Sequence, residues 1–179
     1  VQTCALPILN FQEEKHIEVQ KCSAKALGYF FSCSFLNSFE KFFDIAYPRI
    51  KELLTQTNPE LHIYLFECIS CFANGLKSKF AKMLPDVEQI VKYYYPTAQT
   101  PQLKVAIINS FIGASMSYFQ VTNSFPVEYV PLAQQFLTDV IQMKQNFHDE
   151  SFDESCHQSI LRLFFLLGDY SLNFVEVLL

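Results

Sequence analysis

At 179 residues, half of them hydrophobic and including 19 Phe and 9 Tyr, the chain has core material for one ordinary domain. Charged residues make up 17%, there are 4 Gly, and no long polar tract occurs, which argues against disorder. The net charge of −5, with no basic cluster longer than Lys77-Ser-Lys-Phe-Ala-Lys82, argues against nucleic acid as a partner.

Residues 1–8 (Val-Gln-Thr-Cys-Ala-Leu-Pro-Ile) match the in-frame translation of a common sequencing-library adapter. They are read as a non-native remnant and set aside, with both ends of the chain expected to be truncations. From Glu13 to about Cys33, Ile17, Ala24, Leu27, Gly28 and Phe31 share one helical face. A second helix over Phe39–Gln56 turns Phe39, Phe42, Phe43, Ala46, Ile50, Leu53 and Leu54 inward, with Pro48 expected to kink or divide it.

Asn58-Pro59-Glu60 is a helix start: an N-cap, a proline at the first position and an acid in the first turn. Leu61, Leu65, Cys68, Ile69, Phe72 and Leu76 then form one stripe, which Asn74-Gly75 is expected to end. Phe80 to Tyr95 carries the partner stripe: Phe80, Met83, Leu84, Val87, Ile90, Val91 and Tyr94. Thr100-Pro101 opens the next helix, with Leu103, Ile107, Phe111, Ala114 and Tyr118 in register. Its stretch from Val105 to Val121 is uncharged but carries Asn109, Ser110, Ser115, Ser117 and Gln120. It is therefore expected to be a buried helix and not a membrane span.

A loop over Val121–Phe125 leads to a helix from about Val127 to Gln145, with Val130, Ala133, Leu137, Val140 and Ile141 inward. An acidic connection follows, in which Ser151-x-x-Glu154 suggests a capping box. Cys156, Ile160, Leu163, Phe164 and Leu167 make the next stripe, ended by Gly168-Asp169, and a last helix is expected from Leu172 to Leu179.

Helix-turn-helix units thus recur at spacings of about 41 to 50 residues, a period in the range of HEAT and armadillo repeats. A shift of 41 positions carries Phe39 onto Phe80, Phe42 onto Met83 and Phe43 onto Leu84. Two helices per unit favour HEAT. The expected fold is an all-α HEAT-repeat solenoid of about four hairpins in a right-handed superhelical stack. The units fall at 9–57, 58–97, 98–147 and 148–179, the last truncated.

Chemistry-bearing motifs are sparse. Setting Cys4 aside, Cys22, Cys33, Cys68, Cys71 and Cys156 are odd in number, and most fall among apolar helix neighbours. They fit buried thiols better than a disulfide framework. Cys68-Ile-Ser-Cys71 has no second pair to complete a zinc site, so both are read as core residues. His148, Cys156 and His157 lie near acids without the spacing of a known structural metal motif, and no metal or cofactor is expected. His16 and His62 are expected at helix surfaces. No GxGxxG, GKS/T, HExxH or nucleophile elbow occurs, and the chain is not expected to be an enzyme. Asp149, Glu150, Asp153 and Glu154 are the candidate partner-binding residues. Their negative potential could draw a basic peptide, although a solvated loop with a helix cap would look the same.

The stretch Glu67-Cys-Ile-Ser-Cys-Phe-Ala-Asn-Gly-Leu-Lys-Ser-Lys-Phe80 with Met83-Leu-Pro-Asp-Val-Glu-Gln-Ile-Val91 resembles the importin-β (karyopherin-β) family of nuclear transport receptors. Lys104-Val-Ala-Ile-Ile-Asn-Ser-Phe-Ile-Gly113 with Tyr129-Val-Pro131, and Cys156 to Gly168, extend the likeness loosely over residues 13–179. The resemblance implies a flexible protein-binding solenoid of cytoplasm and nucleus that takes cargo, the Ran GTPase in its GTP form and Phe-Gly nucleoporins. It implies a concave surface lined by the second helices. The long acidic loop of some members and the N-terminal Ran-binding repeats do not appear in this sequence. The alternative is a HEAT or armadillo scaffold unrelated to transport.

Overall fold

A computed structural model describes residues 16–32, 40–56, 58–147 and 149–174. Among these residues all regular structure is helical, with no strand, as an all-α fold requires. Helices α1 (Ile17–Ser32) and α2 (Glu40–Gln56) are followed by a 3-10 turn, Pro59–Leu61, that leads into α3 (His62–Leu76). A 3-10 stretch, Lys77–Met83, precedes α4 (Leu84–Tyr94), and the turn Tyr95–Thr97 separates it from α5 (Pro101–Thr122). Val127–Tyr129 is a 3-10 turn before α6 (Val130–Asn146); α7 (Glu150–Leu167) ends in the 3-10 stretch Gly168–Phe174. The expected stripes Leu65/Cys68/Ile69/Phe72 and Val130/Ala133/Leu137/Val140/Ile141 are buried.

Two helix starts follow the sequence. The Asn58 side chain accepts from the Glu60 amide at 3.1 Å, and the Thr100 hydroxyl accepts from the Leu103 amide at 3.2 Å. The third start does not. Asp149, not Ser151, caps α7: its carboxylate accepts from the Phe152 amide at 2.9 Å and from the Ser151 hydroxyl at 2.7 Å. Ser151 lies inside the helix, and the acid takes the cap because a charged oxygen is the stronger acceptor for exposed amides.

Pro48 does not divide α2, which runs through it to Gln56. The Phe80–Tyr95 helix starts later than its stripe, because 77–83 winds as 3-10 turns. Asn74-Gly75 does not end α3 either. The helix continues to Leu76 and turns at Lys77, whose φ is 51°. Gly75 serves a close approach instead: a Cβ there would lie 1.8 Å from the Phe31 carbonyl oxygen of α1. Gly168, at φ 51°, does end α7 as its position suggests. Leu172–Phe174 belongs to a 3-10 stretch. The remainder of the expected last helix, the early residues including 1–8, and inward Phe39 lie outside the described residues.

The first helices of successive pairs pack side by side: α1 on α3, α3 on α5, α5 on α7. Each second helix lies against the first helix of the pair that follows: α2 on α3, α4 on α5, α6 on α7. Buried polar ties cross the first row at similar chain separations. The Cys68 thiol donates to the Ala24 carbonyl at 2.8 Å, the Ser117 hydroxyl to the Ala73 carbonyl at 3.2 Å, and the Ser159 hydroxyl to Asn109 Oδ1 at 2.7 Å. Aromatic rings fill the space between rows. Phe31, Phe43 and Tyr47 all contact Phe72, with centroids 4.4 to 6.5 Å away, and Phe136 meets Tyr95 at 4.9 Å and Phe111 at 5.5 Å. Burying each such ring contributes about 1.5–3 kcal/mol. No described helix is long and apolar enough to cross a membrane; α5, the longest, is buried on several sides by other helices.

Candidate functional site

The four acids named from the sequence do not act as one group. Asp149 is the α7 cap, and hydrogen bonds from Ser151 and the Phe152 amide hold its carboxyl below the ordinary carboxylate range. Glu150 is exposed in the first turn. Glu154 is exposed and accepts from Gln158 Nε2 at 2.8 Å. Asp153 is half-buried, and its Oδ1 is buried without a hydrogen-bond partner among the described residues.

Asp149 also borders a groove of about 710 Å³ that opens between α1, α3, α5 and the start of α7. Lys25, Tyr29, Tyr64, Glu67 and Asn109 share its walls. The Lys25 ammonium stands over the Tyr64 ring at 5.0 Å, a cation–π contact on one wall of the groove. Loss of solvent raises the Glu67 carboxyl above its usual value, with Lys25 working in the opposite direction. Sequence reasoning missed this groove because its residues come from four helices and share no local spacing.

A larger groove, about 1270 Å³, lies between the end of α2, the start of α3 and the end of α4. Lys21, Lys51, His62, Asp86, Tyr93 and Tyr94 line it. Lys51 pairs with Asp86 at 2.6 Å and Lys21 with Glu18 at 2.9 Å, so these cations are already neutralised within the chain. His62 is not a simple surface residue. Its ring stands 5.3 Å from that of Tyr94, and Nε2 is buried without a hydrogen-bond partner. Burial lowers its basicity, opposed by a hydrogen bond to the Leu54 backbone.

Cys68 is buried against α1 as the core reading expects, whereas Cys71 is half-buried at the edge of the first groove and Cys22, expected among the buried thiols, is exposed. Burial pushes the Cys68 and Cys71 thiols up, with Cys71 and Glu67 adding to the effect at Cys68. Thiols held protonated in this way are poor nucleophiles and poor metal ligands. Cys156 is buried and raised to about 11, first by burial and then by Asp153. His157 is exposed with Nδ1 3.4 Å from Lys144 Nζ, His16 is exposed, and His148 lies outside the described residues. Among the described residues no three His, Cys, Asp or Glu side chains are grouped to hold a metal ion.

The second row carries a further polar feature. Tyr47 of α2 donates its hydroxyl to Asp86 of α4 at 2.7 Å, and Tyr95, just beyond α4, donates to Asp139 of α6 at 2.7 Å. These ties leave only a faint trace in the sequence: each tyrosine sits next to a residue of an apolar stripe. No protein-family model matches the chain, and comparison with curated proteins and with solved structures finds none similar to it.

Proposed function

We propose that the chain is a HEAT-type solenoid whose task is to bind other proteins. The observation that carries this reading is the recurrence of one packing relation. Ties between consecutive first helices span 44, 44 and 50 residues, and those along the second row span 39 and 44. A bundle around one shared core has no need for such a recurrence, whereas stacked like units produce it at every junction. The units are those near 9–57, 58–97, 98–147 and 148–179.

Within that class the importin-β resemblance of 67–91 and 104–113 favours a piece of a nuclear import receptor. Cargo, Ran-GTP and Phe-Gly nucleoporins are then its partners, and cytoplasm and nucleus its compartments. The exposed carboxylates of Glu150 and Glu154, with Asp149 and Asp153 beside them, give a basic partner a surface to approach. A scaffold outside transport would share the fold and differ in its partners.

The test is capture of Ran, loaded with GTP or with GDP, by the full product of the gene that encodes this chain. Preference for the GTP form supports the receptor. Equal capture, or none, removes transport and leaves the scaffold. Solution scattering from the chain bears on the solenoid separately: an elongated particle supports it, and a sphere-like one removes it.

A further inference from the structure

The two rows of helices are joined by different means. In the first row the backbones approach closely: Gly75 admits the Phe31 carbonyl, and a Cβ at Gly113 would stand 3.0 Å from that of Ala73. In the second row the backbones of α2, α4 and α6 stand farther apart, and side chains reach across. Phe43 and Tyr47 meet Phe80 at 5.6 and 5.9 Å, Tyr95 meets Phe136 at 4.9 Å, and each tyrosine donates to an aspartate of the next pair. The two junctions repeat a further detail. A lysine stands 5.8 Å from each tyrosine ring, Lys51 over Tyr47 and Lys104 over Tyr95.

We propose that Tyr47–Asp86 and Tyr95–Asp139 are latches that set the angle between consecutive helical pairs, with the close-packed row α1, α3, α5 as the hinge. Separating two first helices would strip apolar surface and buried amide contacts with nothing to replace them. Swinging two second helices apart breaks a hydroxyl–carboxylate bond at a half-buried edge, together with ring contacts and, at the first junction, the Lys51–Asp86 ion pair. Water can then solvate the freed carboxylate, so that edge is the one that yields. Burial and the facing carboxylate both raise the Tyr47 and Tyr95 hydroxyls, so they remain donors at any physiological pH. The inference rests on these contacts and not on the identity of any partner.

The experiment places pairs of nitroxides on non-cysteine unnatural side chains of the 179-residue chain. One pair, at Asp44 and Gln135, spans the second row; the other, at Ala26 and Gln102, spans the first, and all four positions are exposed. Distances are read by double electron–electron resonance with and without Y47F/Y95F. The expected result is a longer, broader Asp44–Gln135 distribution and an unchanged Ala26–Gln102 mean, with far-UV circular dichroism preserved. An unchanged second-row distance overturns the latch, and so does equal broadening of both rows, which would mean general loosening. Should the double variant lose its helical signal, Y47F and Y95F are read singly. Each must then lengthen the second-row distance by part of the full change, or the proposal fails.

Discussion

A methyl group at Gly75 would meet the Phe31 carbonyl oxygen at 1.8 Å, a contact that only movement of one backbone against the other can relieve. Gly75→Ala is therefore expected to cost about 1–3 kcal/mol, the range for overpacking a tight interface, despite alanine's better helix propensity. Urea titration measures it, and stability equal to or above that of the parent would show that α1 and α3 do not approach so closely. His62 offers a second single-residue test. Its folded-state basicity is lowered from the ordinary 6.5, so the unfolded chain takes up the proton first. Stability is complete above pH 6.5 and falls as pH drops from there through the lower folded value. Replacing the ring by glutamine should flatten that part of the melting-temperature profile. An identical slope in His62→Gln would assign the loss to other groups.

At the scale of a helix, the caps give the cleanest comparison. Thr100→Ala removes the acceptor of the Leu103 amide and should destabilise α5 by about 1 kcal/mol, whereas Thr100→Ser should cost little. Asp149→Ala removes two hydrogen bonds at the start of α7, and its effect should depend on pH. The folded-state carboxyl is depressed below 3.8, so its contribution is present above that value and disappears as pH falls through the depressed one. The difference between Asp149→Ala and the parent should therefore close in strong acid; a gap that persists there would mean the cap works by packing. These two helices also show what can be read from sequence. The Thr100 start is local, a side chain three residues from the amide it bonds, and periodicity with capping signals was enough to find it. The α7 start carries a capping-box pattern at Ser151, yet the stronger carboxylate acceptor of Asp149 takes the cap and draws Ser151 into the helix. Gly75 carries the sequence signal of a helix end, while its use depends on Phe31, forty-four positions away. The grooves and the Tyr–Asp ties were out of reach for the same reason, since each joins residues that only the packing brings together.

Over the whole molecule, burial is graded along the row of first helices, and this predicts an order of unfolding. α5 is flanked by α3 on one side and α7 on the other, with α4 against it, and Ile107, Ile108, Phe111, Ile112 and Ala114 are fully buried. Among the described residues α7 has a first-row neighbour on one flank, and Leu161 and Phe165 stand more than half exposed, Phe165 at the edge of its contact with Phe119 of α5. In a row held by nearest-neighbour contacts, local opening should begin where neighbours are fewest and reach α5 last. Amide hydrogen exchange followed by mass spectrometry should find residues 105–117 slowest, opening only with global unfolding, and α1 and α7 faster. Phe111 tests the connection directly, because its ring meets both Phe136 of α6 and Tyr129 in the turn that leads into it. Phe111→Ala should cost about 3–5 kcal/mol and should speed exchange in α6 as well as in α5. Faster exchange confined to α5 would mean that the two rows open independently, and that their shared aromatic core does not make them one cooperative unit.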